Sequence, residues 1–74
     1  MNNARRKTLK QAVALLENAN NIIESVLDEE QDSYDNLPEG LMDSDRGTQM
    51  EENIDTLSNI QDEISNFIDE LTSM

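Results

Sequence analysis

The sequence predicts an all-α protein, an antiparallel two-helix hairpin similar to a coiled coil. Apolar residues recur at intervals of three and four through both halves of the chain, which is the spacing of one helix face. The only proline, Pro38, and one of the two glycines, Gly40, lie together near the middle of the 74 residues. Two helices of nearly equal length joined by a short connection pack antiparallel. We therefore expect a single helical-hairpin domain over residues 1–74.

The first helix is predicted over about residues 3–32. Its apolar residues fill four neighbouring rows of a heptad pattern, with Asn20 as the one polar residue in the third row. A face of this width is broader than the two-row seam of a simple two-stranded coiled coil. The rows are Leu9, Leu16 and Ile23; Ala12, Ala19 and Val26; Val13 and Leu27; and Leu15 and Ile22.

The second helix is predicted over about residues 45–73. Ser44 is the expected N-cap, with Thr48 and Glu51 as an alternative capping box, and Gly47 is expected to weaken the first turn. The apolar rows are Met50, Leu57, Ile64 and Leu71; Ile60, Phe67 and Met74; and Ile54 and Ile68, with the polar Gln61 between them. The helix therefore repeats the pattern of the first.

The connection, residues 33–44, is expected to be ordered. The sequence from Asn36 to Glu39 predicts a single helical turn that contains Pro38 and ends at Gly40. Tyr34, Leu37 and Leu41 are expected to fold back over the helix ends. Met42 and Met50 form either a cap on the helix ends or, as an alternative, an adaptable docking surface.

The wide apolar face of the first helix predicts a homodimer in which two hairpins form a four-helix bundle. A monomer with an exposed apolar strip is the alternative. Asn20 and Gln61 are expected at similar height, where they hydrogen-bond across the interface or lie at its wet edge. The residues predicted to mediate self-association are Leu9, Leu15, Leu16, Ile22, Ile23, Val26, Leu57, Ile60, Ile64, Phe67 and Leu71.

The residue types disfavour an enzyme, a cofactor or a metal site. The chain has no cysteine and no histidine, which are the commonest metal ligands and acid–base groups. Residues 43–52 faintly resemble a calcium loop, but a loop that begins at Asp43 has Gly47 and Ile54 where ligands belong. No run approaches the ~18–20 apolar residues of a membrane span, and the basic N-terminus lacks a signal-peptide core. We therefore expect a cytoplasmic protein.

The charge is strongly negative and unevenly distributed. The net charge is −12, and four of the five basic residues (Arg5, Arg6, Lys7, Lys10) lie in the first ten positions. Such a field favours basic partners and disfavours nucleic acid and anionic lipid. In an antiparallel hairpin the basic cluster comes beside four acids of the second helix, and ion pairs are expected there to set direction and register. These acids are Asp62, Glu63, Asp69 and Glu70.

Residues 28–41, followed by 44–47 and 50–52, resemble a group of short acidic helical proteins encoded by bacteriophages and other mobile elements. The resemblance extends to a basic opening tract and an acidic heptad helix at the end, so it covers nearly the whole chain. It implies a phage or prophage gene in a bacterial host. The group has no assigned activity, so the resemblance transfers no functional residue to this sequence.

The acidic surface is the main functional candidate. We expect a non-enzymatic inhibitor or regulator that binds a basic surface on a host nucleic-acid-handling or defence enzyme, as a partial nucleic-acid mimic. The alternatives are a merely solubilising acidic face and a structural or scaffold module of a virion. The acidic residues predicted to bind the partner are Glu51, Glu52, Asp55, Asp62, Glu63, Asp69, Glu70, Asp28 and Glu29.

Overall fold

The computed structural model describes all 74 residues and contains three helices. Helix α1 spans Asn3–Asp35, α2 is the single turn Glu39–Met42, and α3 spans Asp45–Thr72. The long helices α1 and α3 pack along each other and make a rod of 58 × 15 × 13 Å. The predicted all-α helical hairpin is therefore confirmed.

Both long helices begin at side-chain caps. The Asn2 side-chain oxygen accepts a hydrogen bond from the backbone N–H of Arg5 at 2.8 Å. At the start of α3, Ser44 Oγ accepts from the backbone N–H of Gly47 at 3.4 Å, so Ser44 is the N-cap that the sequence predicts. Such caps satisfy N–H groups that have no partner within the helix, and each contributes about 0.5–2 kcal/mol.

Helix α1 continues three residues beyond its predicted end at residue 32. The added turn carries Tyr34, whose hydroxyl donates to Glu51 Oε1 on α3. The helix ends where the backbone N–H of Asn36 donates to the carbonyl oxygen of Asp32 at 3.1 Å. Leu37 precedes proline, which disfavours a helical conformation, so α1 cannot continue into the connection.

The short turn in the connection is present, but its predicted end was wrong. Helix α2 begins at Glu39, directly after Pro38, and it contains Gly40. Gly40 does not have the positive φ with which glycine usually ends a helix, so the turn continues to Met42. Leu37 is half-buried, whereas Leu41 is 45% exposed and does not cover the helix ends as predicted.

Gly47 allows the backbones of α2 and α3 to approach closely. It is the only buried residue of the chain. A Cβ atom at this position would lie 2.1 Å from the carbonyl oxygen of Met42 and 2.7 Å from that of Leu41. The expectation that Gly47 merely weakens the first turn was therefore incomplete, because the missing side chain makes room for the end of α2.

A seam of half-buried apolar side chains joins α1 and α3, but no apolar side chain is fully buried. The protein exposes 5587 Å² of surface, whereas a compact monomer of 8.4 kDa exposes about 4,600 Å². The hairpin by itself thus has a seam and no closed core. The seam contains Leu9, Val13, Leu16, Ile23 and Leu27 of α1, and Met50, Ile54, Leu57, Ile64, Ile68 and Leu71 of α3.

Polar pairs across the seam show how α1 and α3 are aligned. Asn20 Nδ2 donates to Ser65 Oγ at 3.3 Å, and Asn53 Nδ2 donates to Glu30 Oε2 at 3.3 Å. Gln61 lies one helical turn from Ser65, so the expectation that Asn20 and Gln61 share one height was wrong. The Oδ1 atom of Asn20 is buried without a hydrogen-bond partner.

The ion pairs expected between the basic N-terminus and the end of α3 do not set the register. The side-chain hydrogen bonds that join α1 and α3 all lie between Asn20 and the loop, and none of them involves a basic residue. Long exposed lysine and arginine side chains lose conformational entropy when they pair, which offsets most of the gain. The donors of these hydrogen bonds are neutral amide and hydroxyl groups near the seam, and in two of them the acceptor is a glutamate carboxylate.

Candidate interaction surfaces

One side of the hairpin carries a continuous apolar strip. Its most exposed members are Leu15 at 70%, Ile22 at 59% and Met74 at 57%. Surface apolar residues that cluster in this way, in contrast to scattered ones, mark interaction sites. The apolar strip consists of Ala12, Leu15, Ala19, Ile22 and Val26 of α1, and Ile60, Phe67 and Met74 of α3.

The two helices present these residues on the same side. Ala19 follows the seam residue Leu16 by three positions, and Ile60 follows the seam residue Leu57 by three positions. In an antiparallel pair, rows with the same offset from the seam face the same direction. The polar pairs across the seam place Phe67 level with the middle of the stretch between Leu15 and Ala19. The strip is therefore continuous across both helices, about 21 Å long at 1.5 Å per residue.

The opposite side of the hairpin is polar. The hydrogen bond from Asn20 to Ser65 and the one from Tyr34 to Glu51 lie on this side. The hairpin is thus amphipathic as a unit, because one long side is apolar and the other is charged. The rows that face the polar side are Lys10, Glu17, Glu24 and Gln31 of α1, and Glu51, Ser58, Ser65 and Thr72 of α3.

The residues predicted to mediate self-association fall into two groups. Leu9, Leu16, Ile23, Leu57, Ile64 and Leu71 lie in the seam, where α1 and α3 cover each other. Leu15, Ile22, Val26, Ile60 and Phe67 lie in the apolar strip. The second group is the more exposed of the two, from Ile60 at 37% to Leu15 at 70%. Met74 is a further member of the strip that the prediction did not include.

All nine acidic residues predicted to bind a partner are exposed, but they do not form one face. On α3, Asp55, Asp62 and Asp69 form an outward row, whereas Glu63 and Glu70 lie at the edge of the apolar strip. Glu51 lies on the polar side and Glu52 faces outward, while Asp28 and Glu29 lie near the loop on α1. The acids therefore surround the outer half of α3, and no three of them are grouped so as to hold a metal ion.

The charge differs strongly between the two ends of the rod. The open end, which we define as residues 1–19 and 65–74, carries four basic and three acidic side chains. The loop end, residues 20–64, carries one basic and 14 acidic side chains. The hairpin brings these segments together, so a nearly neutral end and a strongly negative end lie at opposite ends of one rod. A basic molecule is attracted to the loop end.

Tyr34 lies on α1 beside acidic groups that raise the pKa of its phenol. The pKa of its phenol is raised above 10.0, chiefly because the hydroxyl donates a hydrogen bond to the Glu51 carboxylate. Partial desolvation and the negative charges of Glu51, Asp43 and Asp35 raise this pKa further. Tyr34 therefore stays neutral and keeps its hydrogen bond well above neutral pH.

A shallow cleft of about 240 Å³ lies at the open end, and the sequence did not indicate it. Its lining combines apolar side chains with the two basic residues Arg6 and Lys10. The lining residues are Arg6, Leu9, Lys10, Val13, Leu71, Thr72 and Met74.

Neither long helix contains a segment long and apolar enough to cross a membrane. Comparison with protein-family models, with curated proteins and with solved structures yields no match to this chain. The resemblance to proteins of phages and mobile elements therefore stays a prediction.

Proposed function

We propose that the protein is a non-enzymatic inhibitor or regulator that binds a basic protein surface through its loop end. The observation that carries this proposal is the excess of 14 acidic over one basic side chain in residues 20–64. A field of this strength steers an oppositely charged partner and speeds its association. The contact residues are the exposed acids of the predicted set that lie in the loop end: Glu51, Glu52, Asp55, Asp62, Glu63, Asp28 and Glu29.

The partner is a host enzyme that handles nucleic acid, and in the phage setting that the sequence resemblance implies it is a defence nuclease in the bacterial cytoplasm. The groove of such an enzyme is basic because it binds phosphates. Helix α3 carries eight acids, or one per ~5 Å of its axis, whereas duplex DNA has one charge per ~1.7 Å. The acids also surround the helix, so the protein mimics the charge of nucleic acid and not the spacing of its phosphates.

The acting form is a homodimer in which two hairpins pack into a four-helix bundle. The apolar strip supports this proposal. The hairpin has no fully buried apolar side chain, so a second copy on the strip would bury apolar surface that the monomer leaves exposed. Dimerisation also doubles the number of acids in one particle. Sedimentation at tens of micromolar is expected to give twice the mass of 8.4 kDa.

The charge proposal is tested by matched triple variants. Glu51→Gln, Glu52→Gln and Asp55→Asn together remove three negative charges from the loop end. The control variant Gln11→Lys, Asn18→Lys and Asn66→Lys adds three positive charges at exposed positions of the open end. Proteins captured from a bacterial lysate are identified, and their affinity for each variant is measured at low and high salt.

The loop-end variant is expected to bind at least about tenfold more weakly, a loss of about 1.4 kcal/mol. The control is expected to change affinity by much less, although its net charge is the same. Affinity of the parent protein should also fall steeply with salt. Equal loss in both variants would show that only net charge matters, and unchanged binding in both would refute the acidic contact.

The apolar strip favours a second candidate function, a structural or scaffold module that joins other proteins through hydrophobic contact. Such contacts depend weakly on salt, in contrast to an acidic contact. Met42→Ala tests the third possibility, a docking surface at the loop. If this change abolishes binding and the triple loop-end variant retains it, the partner binds α2 and not the acids.

A further inference from the structure

The apolar strip has the symmetry of a surface that binds its own copy. On α1, Ala19 lies at the centre, with Ala12 and Val26 seven positions to either side. Leu15 and Ile22 lie four and three positions from the same centre. When two copies of α1 cross antiparallel with Ala19 at the middle, small Ala12 meets larger Val26, and Leu15 meets Ile22. The contacts of the two halves are then complementary in size.

The charges that flank the strip are complementary in the same arrangement. The row of Ala12 and Ala19 continues to Arg5 at the open end, and the row of Leu15 and Ile22 continues to Glu29 at the loop end. Antiparallel packing about Ala19 places Arg5 of each copy one helical turn, about 6 Å along the axis, from Glu29 of the partner subunit, once at each end of the strip. Parallel packing instead brings like charges together.

The whole rod has the same preference. Antiparallel packing places the open end, with four basic and three acidic residues, over the partner's loop end, with one basic and 14 acidic residues. Packing with the two loop ends side by side concentrates 28 acidic side chains at one end of the dimer. Like charges at such short distances repel each other, so the antiparallel arrangement is favoured.

The exposed area also matches what a second copy covers. The hairpin exposes about 1,000 Å² more than a compact monomer of its mass. A stable interface buries about 800 Å² on each partner. The excess over the whole elongated rod is thus of the size that one interface with a second copy buries.

We propose that the strip binds a second copy antiparallel, with α1 against α1 of the partner subunit and the twofold axis at Ala19. This inference rests on the proposed homodimer and adds its direction. The dimer then carries one acidic loop end at each extremity of the bundle. Two basic surfaces on separate molecules, or on the two halves of a symmetric enzyme, can be engaged at once.

Distances between spin labels test the direction. The chain has no cysteine, so Thr8→Cys and Ser33→Cys each give one labelling site per copy, and both positions are exposed. At 1.5 Å per residue, antiparallel packing about Ala19 separates the two Thr8 labels by about 33 Å and the two Ser33 labels by about 42 Å. Parallel packing places both pairs within about 20 Å, given helix spacings of about 10 Å.

Charge exchange gives a second test. Arg5→Glu is expected to weaken the dimer about tenfold, and the added change Glu29→Arg is expected to restore it. Lys7→Glu is the control, because it makes the same charge change on the outward side of the same helix turn. Circular dichroism of each variant confirms that the helices are retained.

The outcomes separate this inference from the proposals on which it rests. Long distances for both labels, together with rescue by Glu29→Arg, support the antiparallel dimer. A dimer with two short distances overturns the direction alone. A monomer at tens of micromolar overturns the homodimer and this inference together, whereas the acidic contact with a basic partner is measured separately by the loop-end variants.

Discussion

The loop end and the open end of the hairpin are held together in different ways. At the loop end, α2 packs on Gly47, and the pairs Tyr34–Glu51 and Glu30–Asn53 join α1 to α3. At the open end, only apolar side chains such as Leu9 and Leu71 meet, and a cleft remains between them. Specific contacts at one end are enough to align two helices along their whole length, because helices are stiff. The basic side chains of the open end therefore do not need to form hydrogen bonds with α3 for the two helices to be aligned.

The largest expected effect tests the close contact at the loop end. Gly47→Ala places a Cβ 2.1 Å from the Met42 carbonyl oxygen, so α2 must move away from α3. We expect a loss of about 3 kcal/mol in the free energy of unfolding, measured by urea denaturation. Gly40→Ala is the control, because its Cβ meets nothing within 4 Å, and it should stabilise by about 0.5–1 kcal/mol. Equal effects at the two glycines would contradict the role of the contact.

An apolar truncation tests how much the open end contributes. Leu71→Ala removes a half-buried side chain from the seam beside Leu9 and Val13. Because the site is only partly covered, the expected loss is about 1–2 kcal/mol, below the usual range for a fully buried leucine. Amide exchange near the termini should become faster, while exchange in the connection stays unchanged. Faster exchange in the connection as well would show that the two ends are not independent.

The boundary between the ends is occupied by Asn20, whose Oδ1 atom is buried without a partner. Asn20→Leu removes this unsatisfied group and should raise the free energy of unfolding by about 1 kcal/mol. The exposed neighbour Asn21→Leu is the control and should change stability little. A marked destabilisation by Asn20→Leu would show that the hydrogen bond to Ser65 stabilises the fold by more than the unpaired Oδ1 atom destabilises it.

The smallest expected effect concerns Tyr34. Because the pKa of Tyr34 is raised in the folded protein, its hydrogen bond to Glu51 stabilises the fold fully below pH 10. That contribution is lost as the pH rises through the raised value. Tyr34→Phe should therefore lower stability slightly at neutral pH, and the difference between the two proteins should vanish at high pH. A difference that grows with pH would contradict the assignment.

Much of the fold could be predicted because it depends on local spacing. The heptad rows around Leu16 and Leu57 predict both long helices, and Ser44 predicts where α3 begins. The end of α1 was placed too early because Tyr34 contacts Glu51, which is 17 residues away and belongs to another helix. The turn at Gly40 was also misplaced, since glycine in a turn is compatible with more than one φ. Asn20 and Gln61 were expected at one height, but Asn20 pairs with Ser65, one helical turn from Gln61. The position of α3 along α1 depends on the geometry of the connection.

The candidate surfaces divide in the same way. Residue types and spacing by themselves determined that the protein is a strongly acidic helical hairpin with more apolar rows than one seam requires. Only the tertiary structure decided that Leu9, Leu16 and Ile23 enter the seam while Leu15 and Ile22 stay exposed. The physical reason is that a helix with a wide apolar face offers several seams of similar hydrophobicity. Which of these seams forms depends on how α3 packs along α1, and that contact joins residues far apart in the sequence.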